Sequence, residues 1–517
     1  MKKYIFASLA FAALLSSCNS NEWDVTSDLS VDKQDPTVGL TPVAEKEGMD
    51  YAPLYWSVYG NLRAQEKAGS FPNIFTEDDW DETIDYVVTN LKSHGYDMLV
   101  TDGFAAMGGD DGYMTRYSHT TKDEGSPEIP LSTIVAKLKA KGLKLGVYDS
   151  PFWLHYSNPN AIIPGTDNIT VSSLAYDPAK DKDVKYPTAK EQFGWVMTDH
   201  PGAEQFFEGF FKHYADLGVK FVRMDFLSWY EDGMNYTDII DKGFGRERYV
   251  KGMQWINKYA QKYGVYVSLV MPHLRNDAII EKYAGNMVRI DADALEGSWY
   301  RFSDNNRGSL RGGWPNSENA FDGFINWSKI SGRKKIRLDG DFIRIGSYAD
   351  DNEKMSVISL PLMAGGPISI TDLPTGDDLK FFQNDELLAL NKDGFVGKPL
   401  ARNLWNTDGE VWYGQMKDGS YVVGLFNRET AAATRSVELS KLGLSGTYKV
   451  RDLWKHADEG EVTDKIEAVI PAHGCKIIKL TKYVMTTSVP SLGQSYYKNR
   501  TSWTYPAGSI SLCPIRN

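Results

Sequence analysis

Gly218-Val219-Lys220-Phe221-Val222-Arg223-Met224-Asp225 is an apolar run that follows a glycine and stops at an acid. Upstream, Phe206, Phe210, Phe211 and Leu217 recur at the spacing of one helical face, so the order reads helix, glycine, strand. The glycine suits a left-handed helix end, and a mostly apolar strand suits a parallel sheet covered on both faces. The unit recurs. Thr76, with Asp79 three residues on as a capping partner, opens a segment through Ile84, Val87, Val88 and Leu91 to Gly95, then Met98-Leu99-Val100-Thr101. Ile134 and Leu138 lead to Gly142 and Leu143-Lys144-Leu145-Gly146-Val147-Tyr148. Trp255, Ile256 and Tyr259 lead to Gly264 and Val265-Tyr266-Val267-Ser268-Leu269-Val270.

Weaker strands at Leu54 to Tyr59, Met287 to Ile290, Ile336 to Leu338 and Ile368 to Thr371 bring the number to eight. Eight strands alternating with helices across 51–393 predict an α/β chain, a (β/α)8 barrel rather than a doubly wound sheet. No Gly-x-Gly-x-x-Gly follows a strand, which argues against a dinucleotide domain. Beyond that point the pattern changes to short alternating strands with turn signals, including Lys417-Asp418-Gly419, and 394–481 reads as a small antiparallel β-sandwich. Residues 482–517, rich in Ser, Thr, Tyr and Pro, form a tail to which no role is assigned.

The N-terminus carries a different message. Met1-Lys2-Lys3, an apolar run from Tyr4 to Leu15 and then Leu15-Ser16-Ser17-Cys18 form a signal peptide over 1–17, too short to span a bilayer as a helix. The cysteine resembles that of a bacterial lipobox, which implies lipidation at Cys18 and an exported chain anchored to a bacterial membrane, periplasmic or at the cell surface. The polar stretch 18–50 reads as a tether.

The chain has 517 residues, enough for roughly three domains or a large barrel with a smaller module. A net charge of -11 repels phosphate backbones and makes nucleic acid a poor partner. Only Cys475 and Cys513 remain after Cys18, too few for a disulfide framework, and the histidines form no HExxH pattern, so no metal or other cofactor is expected. The unusual feature is 13% aromatic residues.

In a barrel of this kind the chemistry sits at the C-terminal strand ends. Acids stand there repeatedly: Asp102, Asp149, Asp225, Asp291, Asp293, Asp339 and Asp341. Two opposed carboxylates are the equipment for breaking a glycosidic bond. The plain alternative is that each acid caps a helix or pairs with a base. Aromatics gather at the same ends: Tyr55, Trp56, Tyr59, Tyr148, Phe152, Trp153, Phe226, Trp229, Tyr230, Trp299 and Tyr300. They are candidate platforms for a pyranose, with core packing as the alternative.

Taken in order, Gly95-Tyr96-Asp97-Met98-Leu99-Val100-Thr101-Asp102, Val222-Arg223-Met224-Asp225, Arg289-Ile290-Asp291-Ala292-Asp293, Leu338-Asp339-Gly340-Asp341 and Pro361-Leu362-Met363-Ala364-Gly365-Gly366-Pro367 resemble glycoside hydrolase family 27. This is the family of retaining α-galactosidases and α-N-acetylgalactosaminidases, with a barrel and a C-terminal sandwich. The resemblance implies Asp225 as nucleophile and Asp293, four residues after Arg289, as acid/base, with Asp291 as the local rival. It places Tyr59, Asp102, Tyr148, Arg223, Val270 and Arg289 around the sugar, and Asp341 in a supporting position. The carboxyl groups of a retaining pair are expected about 5 to 5.5 Å apart.

Departures bear on the sugar. Gly103 stands where the family commonly has a second aspartate, so one carboxylate toward O4 and O6 is missing. Arg223 replaces a lysine, and Val270 stands where the family reads the C2 substituent with glutamate or serine. The insertion 154–200 is longer than usual. The resulting expectation is a retaining hydrolase that releases terminal α-galactosyl-type residues from an oligosaccharide or polysaccharide. α-N-acetylgalactosaminidase or β-L-arabinopyranosidase activity is one alternative, and a non-catalytic glycan-binding lipoprotein is another.

Overall fold

The computed structural model describes residues 34–60, 75–101, 106–108, 112–117, 128–155, 159–175, 193–240, 243–295, 297–374 and 378–483. The expected signal peptide over 1–17, Cys18, the tail from 484 on, Asp102 and Gly103 lie outside these residues.

The eight expected strands are present: β1 (Leu54–Ser57), β2 (Met98–Val100), β3 (Lys144–Tyr148), β4 (Phe221–Met224), β5 (Tyr266–Leu269), β6 (Met287–Arg289), β7 (Arg337–Asp339) and β8 (Ile368–Ile370). They form one parallel sheet in the order β7-β6-β5-β4-β3-β2-β1-β8. Among the described residues no β7–β8 ladder closes the ring. Ile343, past the end of β7, makes a parallel bridge to Ile370, with Ile343 N–H donating to Ser369 O at 2.7 Å and Thr371 N–H to Ile343 O at 3.0 Å. Closure therefore passes through the segment that carries Asp341.

Local chemistry explains the units. Helix α1 (Glu77–Asn90) starts at a reciprocal cap, in which Thr76 accepts from Asp79 N–H and Asp79 accepts from Thr76 N–H. Before it ends at Gly218 with φ of 87°, α3 (Ala203–Leu217) buries Phe206, Phe207, Phe210, Phe211 and Tyr214; α2 (Leu131–Ala140) precedes it and α4 (Arg246–Tyr263) follows. Inside the barrel, Tyr55, Met98, Val100, Phe221, Tyr266 and Met287 fill the space between strands. Gly146 on β3 is required there, because a Cβ would stand 2.7 Å from the Phe221 ring.

The expected tether is shorter than 18–50. Val43 and Ala44 are buried, and Asn257 and Gln254 of α4 donate to the carbonyls of Thr41 at 2.7 Å and Pro36 at 2.8 Å. Apolar side chains in this stretch give the body something to pack against, so the folded part begins before residue 51.

The sandwich contains β9 (Val411–Gln415), β10 (Tyr421–Phe426), β11 (Ala433–Glu438), β12 (Tyr448–Asp452), β13 (Ala457–Val462), β14 (Lys465–Ile470) and β15 (Cys475–Lys482). Its larger sheet runs β9-β10-β15-β12-β13 with the short pair Lys398–Pro399 at the β9 edge, and β11 pairs with β14 opposite. Period-two alternation gives β10 two buried faces: Val423 and Leu425 enter the sandwich core, while Val422 and Phe426 join the barrel core. Barrel and sandwich thus share one compact unit that ends at Lys482.

A buried ion pair crosses their junction. Arg428, just after β10, donates to Asp322 Oδ1 at 2.6 Å and to Ser303 Oγ at 2.9 Å, with its guanidinium 4.5 Å from the Phe321 ring centre. Asp322 lies in α5 (Ala320–Trp327) of the barrel. Arg428→Met strands the Asp322 carboxylate and is expected to lower stability by about 3–5 kcal/mol. Adding Asp322→Leu should recover most of it, and thermal midpoints of the two variants check both statements.

Candidate active site

The strand ends of β1 and β3 to β7 surround an open pocket. Its wall is Tyr59, Tyr148, Arg223, Asp225, Phe226, Met271, Arg289, Asp293, Leu295, Asp341 and Phe342. The loops there are held in an uncommon backbone. Phe226, Met271, Leu295 and Asp341 all have φ between 48° and 68° without being glycine. Such residues cost free energy and collect where a loop must aim a group at a site.

Asp225 ends β4 with both carboxylate oxygens held. Tyr148 Oη donates to Oδ2 at 2.8 Å, and Phe226 N–H, presented by its left-handed conformation, donates to Oδ1 at 2.7 Å. Burial, and then repulsion by Asp293, push the Asp225 carboxyl up to about 6, against the pull of these donors and of Arg223.

Asp293 faces Asp225 from the β6 end. Its side chain is 56% exposed into the pocket, and Arg289 Nη2 reaches it at 3.3 Å. Although the side chain is open to the pocket, the carboxyl stands in a recess of protein that hydrates it poorly. That recess, helped by the charge of Asp341 and opposed by Arg289, places its pKa above the usual carboxylate range. The rival Asp291 is buried and off the pocket wall, and burial holds its carboxyl well above the usual range. Of the two, only Asp293 is open to a ligand.

Beneath this pair lies a braced layer. Arg223 donates to Asp339 Oδ2 at 2.9 Å and to Asp341 Oδ1 at 3.1 Å, and Arg289 Nη1 pairs with the same Asp341 oxygen at 2.7 Å. The other Asp341 oxygen accepts from Ala294 N–H at 2.8 Å. Asp341 thereby ties the ends of β4, β6 and β7 together, in keeping with a supporting position. Both arginines touch the pocket but are engaged chiefly in orienting carboxylates.

Several expected site residues are elsewhere. Val270 is 1% exposed and off the wall; the chain turns at Met271, φ 58°, and presents that side chain instead. Asp149 is buried, accepting from Tyr214 Oη and Ser150 N–H beside His155. Among the aromatics, Tyr59, Tyr148 and Phe226 line the pocket. Tyr55, Trp56, Phe152, Trp153 and Tyr230 are core, with Trp153 stacked on Phe193 of the insertion at 4.3 Å. Trp299 stacks on His473 at 4.5 Å. Sequence reasoning missed Met271, Leu295 and Phe342. Phe342 lies 5.4 Å from the Tyr59 ring and 4.8 Å from Arg223, and its one signal was that it follows Asp341.

Known proteins meet this geometry over most of the chain. Residues 406–480 match the alpha galactosidase C-terminal beta sandwich domain. The isomalto-dextranase of Arthrobacter globiformis is 34% identical over 464 residues, spanning 85% of this chain and 69% of that protein. The chain belongs to glycoside hydrolase family 27. It is a glycoside hydrolase with the barrel and sandwich of that family. The structure of Arthrobacter globiformis T6 isomalto-dextranase complexed with panose superimposes with a TM-score of 0.75 at 32% identity, covering 86% of this chain and 75% of that one. The family 27 β-L-arabinopyranosidase of Geobacillus stearothermophilus in complex with arabinose shares the fold at a TM-score of 0.61 and 18% identity, over 86% of this chain and 100% of that one. The alpha-galactosidase of Cyamopsis tetragonoloba is 32% identical over 151 residues, 28% of this chain and 36% of that protein.

Proposed function

We propose that this family 27 enzyme hydrolyses α-linked gluco-oligosaccharides with retention of configuration. The observation that carries the chemistry is the pair Asp225 and Asp293 on one pocket wall, each shifted upward by its surroundings. Asp225 attacks the anomeric carbon, and the glycosidic C–O bond breaks as Asp293 gives its proton to the departing oxygen. Water then attacks the same carbon, Asp293 takes a proton from it, and the bond to Asp225 breaks, so two inversions give net retention. Tyr148 and Phe226 N–H hold Asp225 through both steps.

The sugar follows from relationship and from what is missing. Similarity to a protein named for dextran, an α-(1→6)-glucan, extends over 85% of the chain, whereas the Cyamopsis α-galactosidase matches 28%. Gly103 in place of a second aspartate, as the family resemblance reads it, removes a carboxylate that galactose would use. The α-galactosyl reading keeps its support from the sandwich match at 406–480. Incubation with isomaltotriose, panose and dextran, beside aryl α-galactoside, α-N-acetylgalactosaminide and β-L-arabinopyranoside, separates these readings. Faster cleavage of the gluco-substrates, with an α-configured first product by proton NMR, is expected. Turnover of the galactoside alone overturns the sugar, a β-configured first product overturns retention, and binding without any turnover favours a glycan-binding protein.

A further inference from the structure

The rim beside Asp293 carries an aromatic group that the chemistry above does not use. After β4 the chain forms a short hairpin, Met234–Asn235 paired with Asp238–Ile239, and Tyr236 in its turn is 39% exposed. Its place is set from below. Tyr236 N–H donates to Trp314 O at 3.1 Å, and the buried Trp314 ring lies 5.6 Å from the Arg289 guanidinium that contacts Asp293. Trp314 N–H donates to His273 Nδ1 at 2.8 Å. The His273 proton is therefore on Nε2, which donates to Asp232 Oδ1 at 2.8 Å at the foot of the hairpin. His273 thus builds the rim rather than touching the pocket. On the rim itself, the Arg311 guanidinium sits 5.5 Å from the Tyr236 ring centre and is paired with Glu318.

We infer that Tyr236 and Arg311, braced by Glu318, bind the sugar on the leaving-group side of the scissile bond, a pyranose unit of an oligosaccharide. This rests on Asp293 being the acid of the proposed mechanism. A proton donor must stand beside the glycosidic oxygen, and that oxygen departs with the leaving sugar. The sugar that leaves is therefore next to Asp293 and turned away from Asp225. Tyr236 offers a part-exposed apolar ring on the hairpin that Trp314 and Arg289 link to Asp293, and Arg311, whose side chain is 37% exposed, offers N–H donors for hydroxyls. Partial burial together with the negative charges of Asp293 and Glu318 keeps the Tyr236 phenol protonated, which also places the ring in the field of the acid.

The test compares two leaving groups on the sugar that wild type releases: a second sugar, as in isomaltotriose or panose, and fluoride, which has nothing to stack. Tyr236→Ala should lower the ratio of kcat/KM for the oligosaccharide to that for the glycosyl fluoride by at least about tenfold. Tyr236→Trp should restore most of that ratio, and Arg311→Ala should lower it through KM. Equal losses on both substrates, or no change in the ratio with the thermal midpoint retained, overturn the inference. A wrong sugar would show in wild type alone, through the glycosides it turns over. A wrong acid would show if Asp293→Ala cleaved the oligosaccharide at the wild-type rate.

Discussion

Asp225→Ala abolishes steady-state hydrolysis, with an expected fall in kcat on the order of 10⁴-fold or more, because it removes the carboxylate that forms the glycosyl ester in the proposed mechanism. The cavity left by the carboxylate admits a small anion, so azide should give a glycosyl azide of inverted configuration from an activated glycoside. Unchanged hydrolysis, or rescue with retained configuration, sinks the assignment. A second readout separates a catalytic carboxylate from a structural one. The folded Asp225 carboxyl titrates near about 6, above its unfolded value of roughly 3.9, so the folded state binds the extra proton between those pH values. Stability from this group is therefore fully present below about pH 4 and lost as pH rises through about 6. Asp225→Asn removes that penalty. It should be more stable than wild type at pH 7.5, by on the order of 1–3 kcal/mol, and no more stable at pH 4. A residue placed for structure would show the opposite sign.

The barrel was legible because burial on both faces leaves a clear mark: Phe221–Met224 and Tyr266–Leu269 must be apolar whichever way they point. Asp225 was legible as the acid where such a run stops. Ring closure was not, since Ile343 bridges β8 from a loop whose sequence carries no strand signal. The pocket wall was blurred for a related reason. Met271 replaces Val270 because the backbone turns left-handed at a residue that is not glycine, and no residue type announces that. The aromatics misled because other loops bring their own rings: Phe193 of the insertion stacks on Trp153, Trp195 packs on Phe193 and Tyr230, and Phe244, beyond the insertion, also packs on Tyr230, turning apparent platforms into core. Tyr236 went unnoticed since it belongs to a hairpin rather than to a strand end, and only the contacts through Trp314 and Arg289 connect it with Asp293.

Asp293→Ala should divide the reaction by leaving group. With a sugar leaving, cleavage needs a proton at the glycosidic oxygen, and kcat/KM is expected to fall on the order of 10³-fold. With fluoride leaving, no proton is needed, so the glycosyl ester on Asp225 still forms. Its hydrolysis then lacks a base, and intact-protein mass spectrometry should show the covalent adduct accumulating. Azide, which needs no base, should discharge it to a product of retained configuration, the reverse of the Asp225→Ala outcome. The pH profile follows the same logic. Wild type should give a bell in kcat/KM, falling in acid as Asp225 takes a proton near about 6 and in base as Asp293 loses one. In Asp293→Ala with the fluoride, the basic limb disappears. The acid limb moves to lower pH or stays, because removing a neighbouring carboxylate cannot raise the Asp225 pKa by repulsion. Survival of the basic limb in this variant would mean that the proton comes from another group. Asp291, whose carboxyl burial also holds high, would then be the next residue to replace.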